Sequence, residues 1–183
     1  MDKVKFSIKN VHYAVLDPEG TYGTPAALPG AVSLSMEPQG EVSPFYADGI
    51  VYFQTSSNNG YSGDLELAYF PPDFLKAVYG YKEGETSKVL TEYANVQPKP
   101  FALMCEEEGD STGTKFVFYN CVATRPQREL QTKEDTIEPS TQTITVTMTP
   151  LPDGKVFAMT QDTTPPDVVN GWYDNVYIEG EKA

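Results

Sequence analysis

The chain has 183 residues, 39% of them hydrophobic, and carries a formal net charge of −13, which is enough length and apolar content for one buried core. An acidic excess of this size favours solubility and counts against ordinary nucleic-acid binding, which needs clustered Lys and Arg on the phosphates. No apolar run approaches the roughly 20 residues that cross a bilayer, and residues 1–6 lack the apolar stretch of a signal peptide, so use without signal-peptide export is expected.

The 15 prolines and 14 glycines argue for many turns and against a helical bundle, while 12 tyrosines and 9 phenylalanines favour strands. Val4, Phe6 and Ile8 alternate with lysines and Ser7, the period of a half-buried strand. After Asn10 the apolar phase slips to Val11, Tyr13 and Val15, which predicts a bulge or bend at residues 9–11. His12, the lone histidine, has no second ligand nearby and is read as structural. Residues 17–20 and 24–30 carry turn and loop signals. Residues 31–37 follow as a strand with Val32, Leu34 and Met36 on one face.

Residues 50–53 form a short apolar run suited to a strand. Residues 54–63 are polar and glycine-rich, with Asn59-Gly60 as the turn signal, and are expected to form an extended loop. Residues 64–69 alternate again, with Leu65, Leu67 and Tyr69 on one face and Asp64, Glu66 and Ala68 on the other. Pro71-Pro72 ends that strand. Phe74, Leu75, Val78 and Tyr79 then recur at helical spacing before a stop at Gly80. A helix of about two turns is not stable alone, so it must pack on a sheet. Residues 81–97 read as a loop.

Residues 101–105 and 115–122 are expected to pair as a hairpin turning near Ser111. The second strand is apolar on both faces, with Phe116, Phe118 and Val122 on one and Val117, Tyr119 and Cys121 on the other. Its second face therefore needs a cover, either the short helix or another subunit. In this register Cys105 faces Val117, too far from Cys121 for a disulfide, and two free thiols are expected. Residues 124–139 read as a long connection, and residues 141–149 as a strand with Ile144, Val146 and Met148 against Thr143, Thr145 and Thr147. A turn at residues 152–154 leads to a short strand at 155–159. One helical turn is expected after Pro165-Pro166. Trp172, Tyr173, Tyr177 and Ile178 form an apolar terminus of the kind that docks on its own core or on a neighbour.

No pattern of catalytic residues emerges. A single histidine leaves no His-rich metal site and makes a Ser-His-Asp triad improbable, and no phosphate-cradling glycine motif is present. The run Glu106, Glu107 and Glu108 lacks the spacing of a calcium loop and reads as a solvated face. Asp64 and Glu66 share a strand face without any sign of a sugar cleft. No enzyme activity, cofactor or metal is expected. The residues alone imply a mainly β protein: a β-sandwich or flattened barrel with one short flanking α-helix, a long inter-strand loop and extended termini.

The block Phe45-Tyr-Ala-Asp-Gly-Ile-Val-Tyr-Phe, followed by Thr-Ser-Ser-Asn-Asn-Gly-Tyr and Gly-Asp-Leu-Glu-Leu-Ala, resembles the major tail protein (tail tube protein) family of long, non-contractile-tailed phages. Tyr22-Gly-Thr-Pro, Leu28-Pro-Gly-Ala-Val-Ser-Leu-Ser, Asp73-Phe-Leu, Gln97-Pro-Lys-Pro-Phe-Ala-Leu, Phe118-Tyr-Asn-Cys and Pro152-Asp-Gly-Lys-Val fit the same order, so the resemblance runs over residues 9–156. Each motif is weak alone, and their shared order is what carries the match. After Val156 little aligns beyond Trp172 and Tyr173.

The resemblance implies one tail-tube domain over residues 1–183, with a long loop at 38–62 and a C-terminal arm at 160–183. It also implies self-assembly into stacked, hexameric rings that form a tube for double-stranded DNA during ejection. Strands 31–37 and 64–69 would contribute to the channel wall, with Glu37, Asp64 and Glu66 facing the lumen, where like charge keeps DNA from adhering. Ser56, Ser57, Asn58, Asn59, Gly60 and Tyr61 are the expected ring-stacking loop, and Trp172, Tyr173, Tyr177 and Ile178 the expected arm contacts. The implied partners are further copies of the chain, a tape measure protein inside the tube, and tail terminator and tail tip proteins at its ends, with no membrane. The implied location is the virion tail, with assembly in the host cytoplasm. The alternative is a β-sandwich binding module of a tail tip or baseplate that recognises carbohydrate or a host surface.

Overall fold

The computed structural model describes residues 7–109, 113–128, 130, 132 and 140–180. The expected strand residues Val4 and Phe6, the turn near Ser111 and much of the connection at 124–139 lie outside them. In chain order the first elements are β1 (Ser7–Val15), β2 (Ala26–Ala27), β3 (Ala31–Leu34), β4 (Glu37–Pro38), β5 (Val42–Ala47), β6 (Ile50–Ser56), β7 (Tyr61–Leu67) and α1 (Pro72–Tyr79). There follow β8 (Lys82–Glu83), β9 (Leu90–Thr91), β10 (Phe101–Glu108), β11 (Lys115–Ala123), β12 (Gln142–Met148), β13 (Phe157–Met159) and α2 (Pro166–Asn170). The fold is mainly β.

The large sheet runs β2-β1-β10-β11-β12-β7-β3, with β13 beside β11 and β4 beside β7. All its pairings are antiparallel. β1 and β3, near opposite ends of that order, touch each other, so the sheet curls into a flattened, nearly closed barrel. Its interior holds Tyr13, Leu65, Leu67, Phe101, Leu103, Ile144, Val146 and Met148, packed against Phe74, Leu75 and Val78 of α1. Pro72 in the first turn and Gly80 in the left-handed conformation bound that helix. Phe74 makes edge-on contacts with Tyr13 and Phe101, at centroid distances of 4.8 and 5.8 Å. The helix is thus held by tertiary packing, as its length requires.

Bulges decide which side chains face this core. The pairing of β1 with β10 shifts between Lys9 and His12, with Asn10 at φ 52°, where the slip in apolar phase places it. Two further shifts correct the strict alternation expected from the sequence. In β3 the register jumps between Ala31 and Ser33, so Val32 turns outward at 50% exposure while Leu34 and Met36 pack on the core. In β11 Asn120 adopts φ 45°, and Cys121 joins Phe118 in the core while Val122 faces out. The register also places Cys105 opposite Phe116 rather than Val117; both cysteines are free and buried.

The second face of β10 and β11 is covered by the C-terminal segment of the same chain, neither by α1 nor by another subunit. Ala102, Met104, Val117 and Tyr119 pack against Trp172, which is only 2% exposed, with Val168, Val176, Tyr177 and Ile178 around it. Tyr119 Oη donates to the Tyr177 carbonyl at 2.6 Å, and Lys115 Nζ donates to the Val169 carbonyl at 2.7 Å. The expected extended C-terminal arm is therefore folded back over residues 166–178, because its aromatic side chains bury more apolar area there than in water.

Candidate functional site

The expected loop at residues 38–62 is instead a long β-ribbon. β5 and β6 are joined by Asp48 and Gly49 alone, at φ 52° and 78°. Positive φ at both central residues is the requirement of a two-residue type I′ hairpin turn. Phe45 lies opposite Phe53 and Val42 opposite Ser56, with a register shift after Phe45. Below the hairpin, Ser57 N donates to Glu41 O at 3.0 Å, Asn59 N to Gln39 O and Gln39 N to Gly60 O, both at 2.8 Å. Pro38 then pairs with Tyr61, and the ribbon enters the large sheet.

This geometry also relocates the expected stacking loop. Ser56 ends β6 and Tyr61 begins β7; only Ser57, Asn58, Asn59 and Gly60 lie between. Gly60 is buried at φ 95°, and a Cβ there would stand 1.8 Å from the Met148 carbonyl oxygen. Asn59-Gly60 is thus a close crossing with the end of β12, not a loop tip. Tyr61 sets its ring against Phe157 and Phe118, at centroid distances of 5.6 and 6.3 Å. A deletion of residues 56–61 would remove part of the large sheet.

The segment that projects is β5 with β6. At about 3.3 Å per residue it reaches roughly 20 Å beyond the sheet. Every residue of β6 is exposed, as are all of β5 except half-buried Ala47. Val42, Phe45, Tyr46, Ile50, Val51, Tyr52 and Phe53 are all large apolar residues left in solvent, Tyr52 at 73% and Phe53 at 61%. Tyr52 and Phe53 are consecutive in a strand and so stand on opposite faces, which makes the ribbon apolar on both sides. An isolated two-stranded ribbon is marginal in water, and contiguous exposed apolar surface marks an interaction site. Pro44 blunts the outer edge of β5, whereas β6 carries neither Pro nor Lys.

The carboxylates Glu37, Asp64 and Glu66 share the outward face at the base of the ribbon. Glu37 pairs with Ser62, two residues before Asp64, and β12 sets Thr143 opposite Glu66 and Thr145 opposite Asp64. Thr145 Oγ1 donates to Asp64 Oδ1 at 2.7 Å, while Thr141 and Ser33 donate to the two oxygens of Glu66 at 2.5 and 3.0 Å. Donation from Thr141 first, then Ser33, holds the Glu66 carboxyl below its ordinary 4.5. This face is hydroxylated and acidic, with no Lys or Arg among these partners.

Other chemistry-bearing groups are occupied structurally. His12 Nδ1 donates to the Asn10 carbonyl at 2.8 Å, and its ring lies 4.4 Å from that of Tyr173. Glu106 departs from the expected solvated face: it is buried, accepts from Asn10 Nδ2 at 2.8 Å and lies 3.4 Å from Lys9 Nζ. Burial pushes the Cys105 thiol up to about 12, with Glu107 adding to the shift, and raises Cys121 as well. Such thiols are not nucleophiles at neutral pH. Among the described residues, no three His, Cys, Asp or Glu side chains converge on a metal position, and no helix is long and apolar enough to cross a membrane.

No family model and no curated protein matches the chain. Among solved structures it is similar to a chain in the cryo-electron microscopy structure of the anti-feeding prophage baseplate, six-fold symmetrised. That similarity has a TM-score of 0.47 at 11% identity and covers 89% of this chain and 99% of the other. At that level it says nothing about function.

Proposed function

We propose that the chain is a structural subunit that assembles with copies of itself into stacked hexameric rings, forming a phage tail tube through which double-stranded DNA passes. The observation that carries this reading is the β5–β6 hairpin: a ribbon apolar on both faces, joined to a subunit whose own core is already closed. The ordered motifs over residues 9–156 supply the tube. In this reading the acidic, hydroxylated face of Glu37, Asp64 and Glu66 lines the lumen, and the hairpin, not residues 56–61, makes the main contact between subunits. The C-terminal segment seals its own subunit, leaving parts of Tyr173, Tyr177 and Ile178 for contacts with neighbours. A tape measure protein, a tail terminator and tail tip proteins are the further partners.

Exposed Tyr46, Tyr52, Tyr69 and Tyr93 favour a second reading, a tail-tip or baseplate module that holds carbohydrate. Size-exclusion chromatography with negative-stain microscopy separates the two. Rings or tubes are expected, and a monomer that binds glycans would overturn the tube. The lumenal assignment is checked by changing Glu37, Asp64 and Glu66 together to Lys. Slower, more salt-dependent DNA ejection from assembled particles is expected, and unchanged kinetics would place these side chains elsewhere.

A further inference from the structure

β12 and β13 form one interrupted strand. Both run antiparallel along the same edge of β11, with Met148 opposite Cys121 and Phe157 opposite Phe118. The excursion between them, residues 149–156, closes on itself where Leu151 N donates to Lys155 O at 2.8 Å, and Leu151 packs onto the Trp172 cluster. β7 fills the next lane of the sheet beside β12 alone, from Leu67 to Tyr61. At Gly60, with φ 95°, the chain turns out into the ribbon, and no described strand pairs with the outer edge of β13. Tyr119 N donates to Val156 O and Thr160 N to Lys115 O, so residues 156, 158 and 160 turn their backbone towards β11. The N–H and C=O groups of Phe157 and Met159 point the other way, into the open lane. Their side chains are 39% and 51% exposed. An unpaired edge with uncovered apolar side chains is the form that accepts an added strand.

We propose that this lane receives β6 of a second copy, which deepens the self-assembly reading above and rests on it. β6 leads through residues 57–60 into β7, so a copy of it would prolong beside β13 the antiparallel ladder that β7 makes with β12. The outer edge of β6 matches. Ser57 N donates to Glu41 O and Thr55 lies opposite Ser43, so Gln54 and Ser56 turn their backbone away from β5. Each edge thus offers outward backbone groups two residues apart, the spacing that an antiparallel ladder joins. Charge agrees, because residues 50–56 and 156–160 contain no charged side chain and Lys155, next to them, is paired with Asp153. The other edges of the large sheet accept a strand less well. β1 carries Lys9, β4 consists of Glu37 and Pro38, β3 lies against β1, and β2 offers only two alanines. Pairing at β13 buries no unpaired charge and sets Phe157 and Met159 beside uncovered aromatic residues of the hairpin. Donor and acceptor are different edges, so the contact is head-to-tail and propagates into a ring or an open series.

The test places a benzoyl-phenylalanine photocrosslinker at position 53 of the full chain and mixes 14N- and 15N-labelled protein before irradiation. Mixed-label crosslinks to the peptide containing Phe157 and Met159 are expected. In parallel, Met159→Pro removes an N–H that points away from β11, a place where an edge strand tolerates proline. It is expected to lower the assembled fraction by roughly tenfold or more, with an unchanged monomer melting temperature. Mixed-label crosslinks to any other surface, including a second hairpin, overturn the pairing with β13 while leaving self-assembly standing, as does normal assembly of Met159→Pro. Crosslinks to Phe157 or Met159 that join only like-labelled halves assign the lane to the chain's own hairpin and overturn the proposal. A wild-type chain that stays monomeric overturns both readings.

Discussion

β6 and β11 are close to each other in composition and opposite in fate. Both are short, rich in Phe, Tyr and Val, and apolar on consecutive residues, so neither shows the alternation of a strand wet on one side. β11 is dry on both faces from Val117 to Tyr119: the barrel core takes Phe118 and, beyond the bulge, Cys121, and the C-terminal segment covers Val117 and Tyr119. β6 is wet on both faces, from Ile50 to Ser56. A strand apolar on both sides therefore states a need for two covers. Where one chain supplies both, the strand is core; where the described residues supply neither, it stays exposed, as surfaces that meet a partner do.

The sharpest break in this comparison is to treat the two strands alike. Phe45→Asp with Phe53→Asp puts two charges on the hairpin, where they are solvated in the monomer and unpaired in any contact. Assembly is expected to be abolished, read by negative-stain microscopy, while the monomer melts within about 0.5 kcal/mol of wild type, as surface changes do. A large loss of monomer stability would show that the hairpin packs on its own subunit. Trp172→Ala removes the main cover from the second face of β11. The cost is expected to be about 3–5 kcal/mol, seen as a fall in melting temperature on the order of 10 °C. A drop of only a degree or two would mean that the C-terminal segment does not cover that face in solution.

The smallest effect concerns the polar face at the base of the ribbon, which needs no cover. Glu66 has a folded-state pKa lowered below 4.5 by donation from Thr141 and Ser33. Its contribution is present above pH 4.5 and is lost as the pH falls through the lowered folded value. Glu66→Gln is therefore expected to flatten the fall in melting temperature over that acid range and to leave the hairpin's assembly at neutral pH intact. Parallel pH profiles for variant and wild type would remove these hydroxyl contacts from the account.

Several features are local enough to be legible in one dimension. The Thr/apolar alternation at residues 142–148, the helix bounded by Pro71-Pro72 and Gly80, and the phase slip at Asn10 follow from side-chain period and backbone preference. The projecting hairpin also had its signal, because Asp48-Gly49 stands between two apolar runs. Asn59-Gly60, eleven residues on, has the same local chemistry, and nothing local ranks one above the other as the hairpin tip. The ranking comes from β12: its Met148 carbonyl crowds Gly60 and draws the chain there into the large sheet.

Taken alone, the sequence determined that this protein is a β-rich, acidic chain with more apolar strand faces than a simple two-layer fold consumes, since period and turn residues are properties of neighbouring residues. Only the tertiary structure decided which of those faces are spent. Bulges at Val32 and Asn120 reversed local phase, and a segment some fifty residues downstream, around Trp172, closed over β11. Nothing among the described residues closes over β6. Cover is a long-range property, set by which distant surfaces meet, and no local period records it.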